Sequence, residues 1–186
     1  MNIDLKELLN ASDIIDRMTR NGYHISRSDS ALFTELDQFQ DQYKAMFTLL
    51  GYELNHDPHG FFYLSGKESG NLNKSTREMA LTVWTLVELL TNKGYEAISY
   101  ITQSPITREI IREQFDSNKI LLEQGGIENE ETLMEKYHRL KRSGFCDTDG
   151  VQFYFRTPVQ RFLQAAVNLQ NEQEKKSEKD MEVDHV

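Results

Sequence analysis

The chain has 186 residues, 38% hydrophobic and 10% aromatic, which suits one ordinary domain or two small ones and is too apolar for a wholly disordered chain. Its net charge of −9 argues against a freestanding nucleic-acid binder, yet the charge is uneven: residues 129–162 carry 6 basic and 5 acidic side chains, against 12 and 19 over residues 1–128. No apolar run reaches the length of a membrane span, the first residues lack the basic start and apolar stretch of a signal peptide, and the single cysteine, Cys146, excludes an intrachain disulfide, so a cytoplasmic setting is expected.

In chain order, residues 3–21 place Leu5, Leu8, Leu9, Ile15 and Met18 near helical spacing, and Gly22 ends the pattern. Tyr23-His24-Ile25 reads as a short strand, and Ser26 or Ser28 is a cap for the next helix. That helix is the clearest in the chain: Leu32, Leu36, Phe39, Tyr43, Met46, Phe47 and Leu50 form one face, with Glu35, Asp37, Gln38, Asp41, Gln42 and Lys44 on the other. A hairpin over 52–64 follows, turning at Pro58-His59-Gly60. A polar stretch ending at Lys74 reads as a linker over 67–74 between a first unit, 1–66, and a second, 75–169.

The second unit opens with a helix from Ser75 or Thr76 to near Asn92, apolar on more than one face: Met79, Leu81, Val83, Trp84, Leu86, Val87, Leu89 and Leu90. A second helix is expected over 106–115 with Ile106, Ile110, Ile111 and Phe115 buried, and 117–126 is ambiguous. A third, over 130–142, turns Leu133, Met134, Tyr137 and Leu140 inward, and a second hairpin follows it with Asp147-Thr148-Asp149-Gly150 at the turn. Pro158 begins a last helix with Val159, Phe162, Leu163, Ala166 and Val167 on its buried side, and 170–186 reads as a disordered acidic tail. Helix, glycine, short strand, turn and aromatic return strand thus occur twice, at Gly51 and at Gly144. That arrangement is the back half of a winged helix, so the expected fold is α+β, mostly helical, with tandem winged-helix domains that each carry a β-hairpin wing.

Candidate chemistry is sparse. His56-x-x-His59 lacks further ligands for zinc, Asp147-x-Asp149-Gly150 lacks the rest of a calcium loop, and Cys146 has no neighbouring histidine, so these read as turn residues and a core thiol. No phosphate loop or nucleophile elbow occurs, so no catalytic, cofactor or metal residues are assigned and an enzyme is not expected. Lys136, Arg139, Lys141 and Arg142 lie outward on the helix a winged helix presents to DNA, with Arg156 and Arg161 just beyond the wing. They suit phosphate contact without base reading. The same set equally fits an ordinary solvated face balanced by Glu130, Glu131 and Glu135.

Gly22-Tyr23-His24-Ile25, Tyr52-Glu53-Leu54, Gly60-Phe61-Phe62-Tyr63-Leu64, Leu140 to Phe145 and Phe153-Tyr154-Phe155-Arg156-Thr157-Pro158 resemble, in order and spacing, the MksE/MukE family over about residues 14–165. The shorter segment between units and the brief tail favour the MksE branch. The resemblance implies an accessory subunit of a bacterial condensin-like SMC complex: a homodimer, joined largely through its first units, that binds the kleisin (MksF/MukF-like) bridging the SMC ATPase (MksB/MukB-like). It implies a nucleoid-associated role in chromosome organisation or plasmid defence, with weak, sequence-independent contact to double-stranded DNA. Two other readings remain: a freestanding winged-helix transcription regulator, and an adaptor that touches no DNA.

Overall fold

The computed structural model describes residues 8–66 and 74–163. Helix α1 (Ala11–Asn21) buries Ile14 and Met18 and stops at Gly22, whose left-handed φ of 59° lets its N–H return to Arg17. The helix expected from residue 3 begins only at Ala11 among the described residues; Leu8 packs into the core ahead of it and Leu9 is left 85% exposed. Strand β1 (Ile25–Ser26) leads to α2 (Ser30–Gln38), which starts after Asp29 rather than at either proposed serine cap. The single long helix read from the periodicity is two: Phe39, at φ −115° and ψ 32°, separates α2 from α3 (Gln40–Leu49). The break re-aims α3, so that Tyr43 and Phe47 are buried while Leu50, expected inward, is 52% exposed. It also leaves Glu35, expected in solvent, buried beneath Tyr43.

Strands β2 (Tyr52–Asp57) and β3 (Phe61–Gly66) form the first wing, and β1 pairs with β3 to give a three-stranded antiparallel sheet in the order β1-β3-β2. Leu54 and Phe62 point from the sheet into one hydrophobic core with Ile14, Met18, Ile25, Leu32, Leu36, Tyr43 and Phe47.

A second core draws on residues from Met79 to Leu163. Its central helix is α4 (Lys74–Asn92), packed against α5 (Ala97–Gln103), α6 (Arg108–Ser117) and α8 (Glu130–Arg142). Those neighbours take up most of its two-sided apolar surface, leaving Trp84 only half-buried. Helix α5, not anticipated, is capped by the Glu96 carboxylate, which accepts the Ser99 N–H at 2.7 Å, and seats Ala97 and Ile101 in the core. Ile106 is buried as expected but not as a helical residue: it precedes the Thr107 cap and exchanges both backbone hydrogen bonds with Phe153, adding a third edge to the second wing. The ambiguous stretch contains a short helix, α7 (Lys119–Gln124).

Helix α8 keeps its expected bounds because Asn129 and Thr132 cap each other reciprocally, at 2.8 and 3.0 Å. Met134 is half-buried beside fully buried Leu133, Tyr137 and Leu140. The second wing is β4 (Cys146–Thr148) and β5 (Phe153–Phe155), followed by a 3-10 turn over Thr157–Val159. Residues 67–73, Ala166, Val167 and the tail over 170–186 lie outside the described residues.

Candidate nucleic-acid interface

The last two turns of α8 carry Arg139, Lys141 and Arg142, all exposed, and none of the three forms an ion pair among the described residues. Glu130 and Glu131 in the first turn and these cations in the last both complement the helix dipole. Lys136 does not join the outward set. Its ammonium meets Glu78 of α4 at 2.9 Å, with the two side chains only 17% and 10% exposed, so it ties α8 to α4.

Arg156 lies still further from the outward set. It was expected to extend the outward cations beyond the wing, but its side chain is 4% exposed. Its guanidinium bonds the Tyr23 hydroxyl, the Ser26 hydroxyl at 2.8 Å and the Asp29 carboxylate, all in the first unit. Burial opposes its charge, but Asp29 and Tyr23 outweigh that and leave the guanidinium more basic than usual. An arginine so engaged has no face left for a phosphate.

Arg156 belongs to a junction that fixes the two units together. The Ser143 hydroxyl donates to Asn21 O at 3.1 Å, and the His24 N–H donates to Ser143 O at 3.0 Å. Gly144, at φ 78°, permits the approach: a Cβ there would lie 2.5 Å from His24 O. The His24 ring sits 4.3 Å from that of Phe145 and 5.8 Å from that of Tyr63. Its Nδ1 contacts two carbonyls, Gly22 O at 3.0 Å and Ser143 O at 3.2 Å, while Nε2 meets Arg161 Nη1 at 2.6 Å. Carbonyls only accept and a guanidinium only donates, so the ring is neutral with its proton on Nδ1. Burial first, and Arg161 second, lower its pKa to about 3. Arg161 also stacks over Tyr63 at 3.9 Å. Phe61 and Tyr63 of the first wing face this junction as well as their own sheet.

Beside the junction, a cleft of about 410 Å³ opens between α1 and α8, lined by Arg17, Tyr23, His138, Lys141, Arg142 and Asp147. The sequence reading missed Arg17, because nothing in the local pattern of α1 says that the second unit packs there. It also missed Glu78, whose place opposite Lys136 depends on how α4 packs on α8.

The remaining candidates are structural. His56 stacks on Phe62 at 4.2 Å, His59 Nδ1 lies 2.7 Å from the Asp57 carboxylate, and no group of three metal-ligating side chains occurs among the described residues. Asp149 accepts the backbone N–H groups of Gln152 and Val151, which hold its carboxyl below the usual range and shape the hairpin turn. Burial pushes the Cys146 thiol up to about 12, which suits packing and not nucleophilic chemistry.

A family model described as Condensin complex protein MksE matches residues 10–167. No curated protein matches the chain.

Proposed function

The chain belongs to the MksE family of condensin complex proteins, and on that premise we propose that it is a non-enzymatic accessory subunit, dimeric, cytoplasmic and nucleoid-associated, that binds the kleisin of an SMC complex and assists DNA entrapment. The family match over residues 10–167 is the observation that carries this reading. We take the chain as two winged-helix units, 1–66 and 75–169, joined through 67–74. The exposed leucines of the first unit, Leu9 at 85%, Leu49 at 86% and Leu50 at 52%, support a dimer contact there.

DNA contact is assigned to the outward end of α8, through Arg139, Lys141 and Arg142. Three unpaired cations give weak affinity alone, and a dimer held within a larger complex raises their effective concentration.

Co-purification with an MksF/MukF-like kleisin from the same source tests the first part: a stable complex is expected. Loss of kleisin capture combined with tight binding to a single operator at physiological salt would overturn it in favour of a transcription regulator. Arg139→Glu with Arg142→Glu should reduce DNA retention by the assembled complex roughly tenfold or more while the dimer stays intact by light scattering. Unchanged retention would reduce this face to a solvated one.

A further inference from the structure

We propose that the cleft between α1 and α8 is a composite phosphate-binding site for duplex DNA, in which Arg17 of the first unit acts together with Lys141 and Arg142 of the second. The inference rests on the DNA reading of α8 and extends it across the junction. Its basis is placement. The Ser143–Asn21 and His24–Ser143 hydrogen bonds hold the C-terminal ends of α1 and α8 side by side, so Arg17, one turn before the end of α1, opens on the same cleft as Lys141 and Arg142 in the last turn of α8. The junction is buried and polar on both sides, which fixes the spacing of those charges before any ligand arrives.

Arg17 is available for exchange. Its partner Asp13, at 2.7 Å, is a helical neighbour, and the two side chains are 43% and 48% exposed. Such a pair is weak, and a phosphate oxygen competes with it readily. The guanidinium also lies 5.7 Å from the centre of the Tyr23 ring, which keeps it at the mouth of the cleft. Asp147 is the single carboxylate among the lining residues, and it leans towards Arg156 Nε at 3.7 Å. Apart from Tyr23, the lining offers no large apolar side chain to anchor a peptide, whereas phosphate contact requires none.

A purely structural account exists: Arg17 pairs with Asp13 along α1 and lies over the Tyr23 ring. It predicts that removing Arg17 costs stability and leaves DNA affinity alone. The proposal predicts the reverse. The test uses the full chain in the assembled SMC–kleisin complex, with binding of a duplex of arbitrary sequence followed across a potassium chloride series. Arg17→Gln should weaken binding about fivefold and lower the slope of log K against log salt by about one. Arg17→Lys should retain most of the affinity. Arg20→Gln, on the same helix but 77% exposed and away from the cleft, should change little. Asp147→Asn should tighten binding, a gain that a structural role cannot produce.

If Arg139→Glu weakens binding and Arg17→Gln does not, the α8 face stands and the composite cleft falls. If neither matters, both readings fall. If Arg17→Gln impairs kleisin capture while DNA affinity holds, the cleft takes an acidic peptide and the proposal is overturned.

Discussion

In each unit, a tyrosine of the helix that leads into the wing donates its hydroxyl to an earlier helix, but the acceptors differ. In the second unit Tyr137 of α8 bonds Gln114 Oε1 of α6 at 2.6 Å, and the Gln114 amide donates to Thr82 O at 2.8 Å and Thr85 Oγ1 at 2.7 Å. Gln114 and Tyr137 are completely buried, and the network closes inside the core. In the first unit Tyr43 of α3 bonds the Glu35 carboxylate of α2, whose oxygens also accept the Asn10 backbone N–H at 2.9 and 3.1 Å and Asn10 Nδ2 at 2.7 Å. An amide in this slot seals a core. A carboxylate reaches past the core to fix the entry into α1, beside exposed Leu9. The second unit thus spends its central polar slot on internal order, and the first spends it on surface.

The most disruptive test of that comparison removes what makes the two units one body. Arg156→Met should cost about 3–5 kcal/mol, because it strands Asp29, whose side chain is 12% exposed, without its cation. Urea denaturation followed by tryptophan fluorescence, which reports on Trp84 in the second unit, and by far-ultraviolet dichroism, which reports on both, should then show two separated transitions. A single unshifted transition would mean that the junction contributes little. Next in size, Gln114→Leu should cost about 2–3 kcal/mol, since it leaves the Tyr137 hydroxyl unpaired in a dry core. Glu35→Gln should cost only about 1 kcal/mol, because water reaches the Asn10 side of the slot. Equal losses for the two variants would erase the distinction between a sealed slot and an open one.

Much of this organisation was legible in the sequence. The periodicity of Leu133, Tyr137 and Leu140 marks α8, and both hairpins follow from their glycines and aromatic return strands. What escaped was long-range. Phe39 fits the helical period yet breaks it, because the packing of α2 on β1 and of α3 on β2 decides the bend and local propensity does not. Glu35 looked solvated because a charge on a helix usually is, and its hydroxyl partner lies on a separate helix. Arg156 sits in a cationic stretch of sequence, but its partners are more than 120 residues away. Within the candidate site, Arg139, Lys141 and Arg142 could be read from spacing along one helix. Arg17 could not, since only the junction brings it opposite them.

The junction also carries the gentlest test, in which pH replaces mutation. His24 is held neutral: its Nδ1–H is directed at Gly22 O and Ser143 O, and its Nε2 faces a guanidinium. Around the ring stand Arg161, which opposes protonation, Asp57, which favours it weakly, and the uncharged rings of Phe61, Tyr63 and Phe145. With a folded pKa of about 3 against an ordinary value of 6.5, the unfolded chain takes up a proton that the folded chain refuses. The stability this provides is complete above 6.5 and falls as pH drops through that value towards 3. Between about pH 7.5 and 5.5 the loss should be roughly 1.4 kcal/mol, measured by denaturant titration. His24→Gln should be less stable at neutral pH and nearly flat over the same interval, a window in which few exposed carboxylates titrate. Parallel curves for the two proteins would show that the imidazole is not what makes the contact between the units acid-sensitive, and the first unit would then differ from the second only in where its polar slot opens.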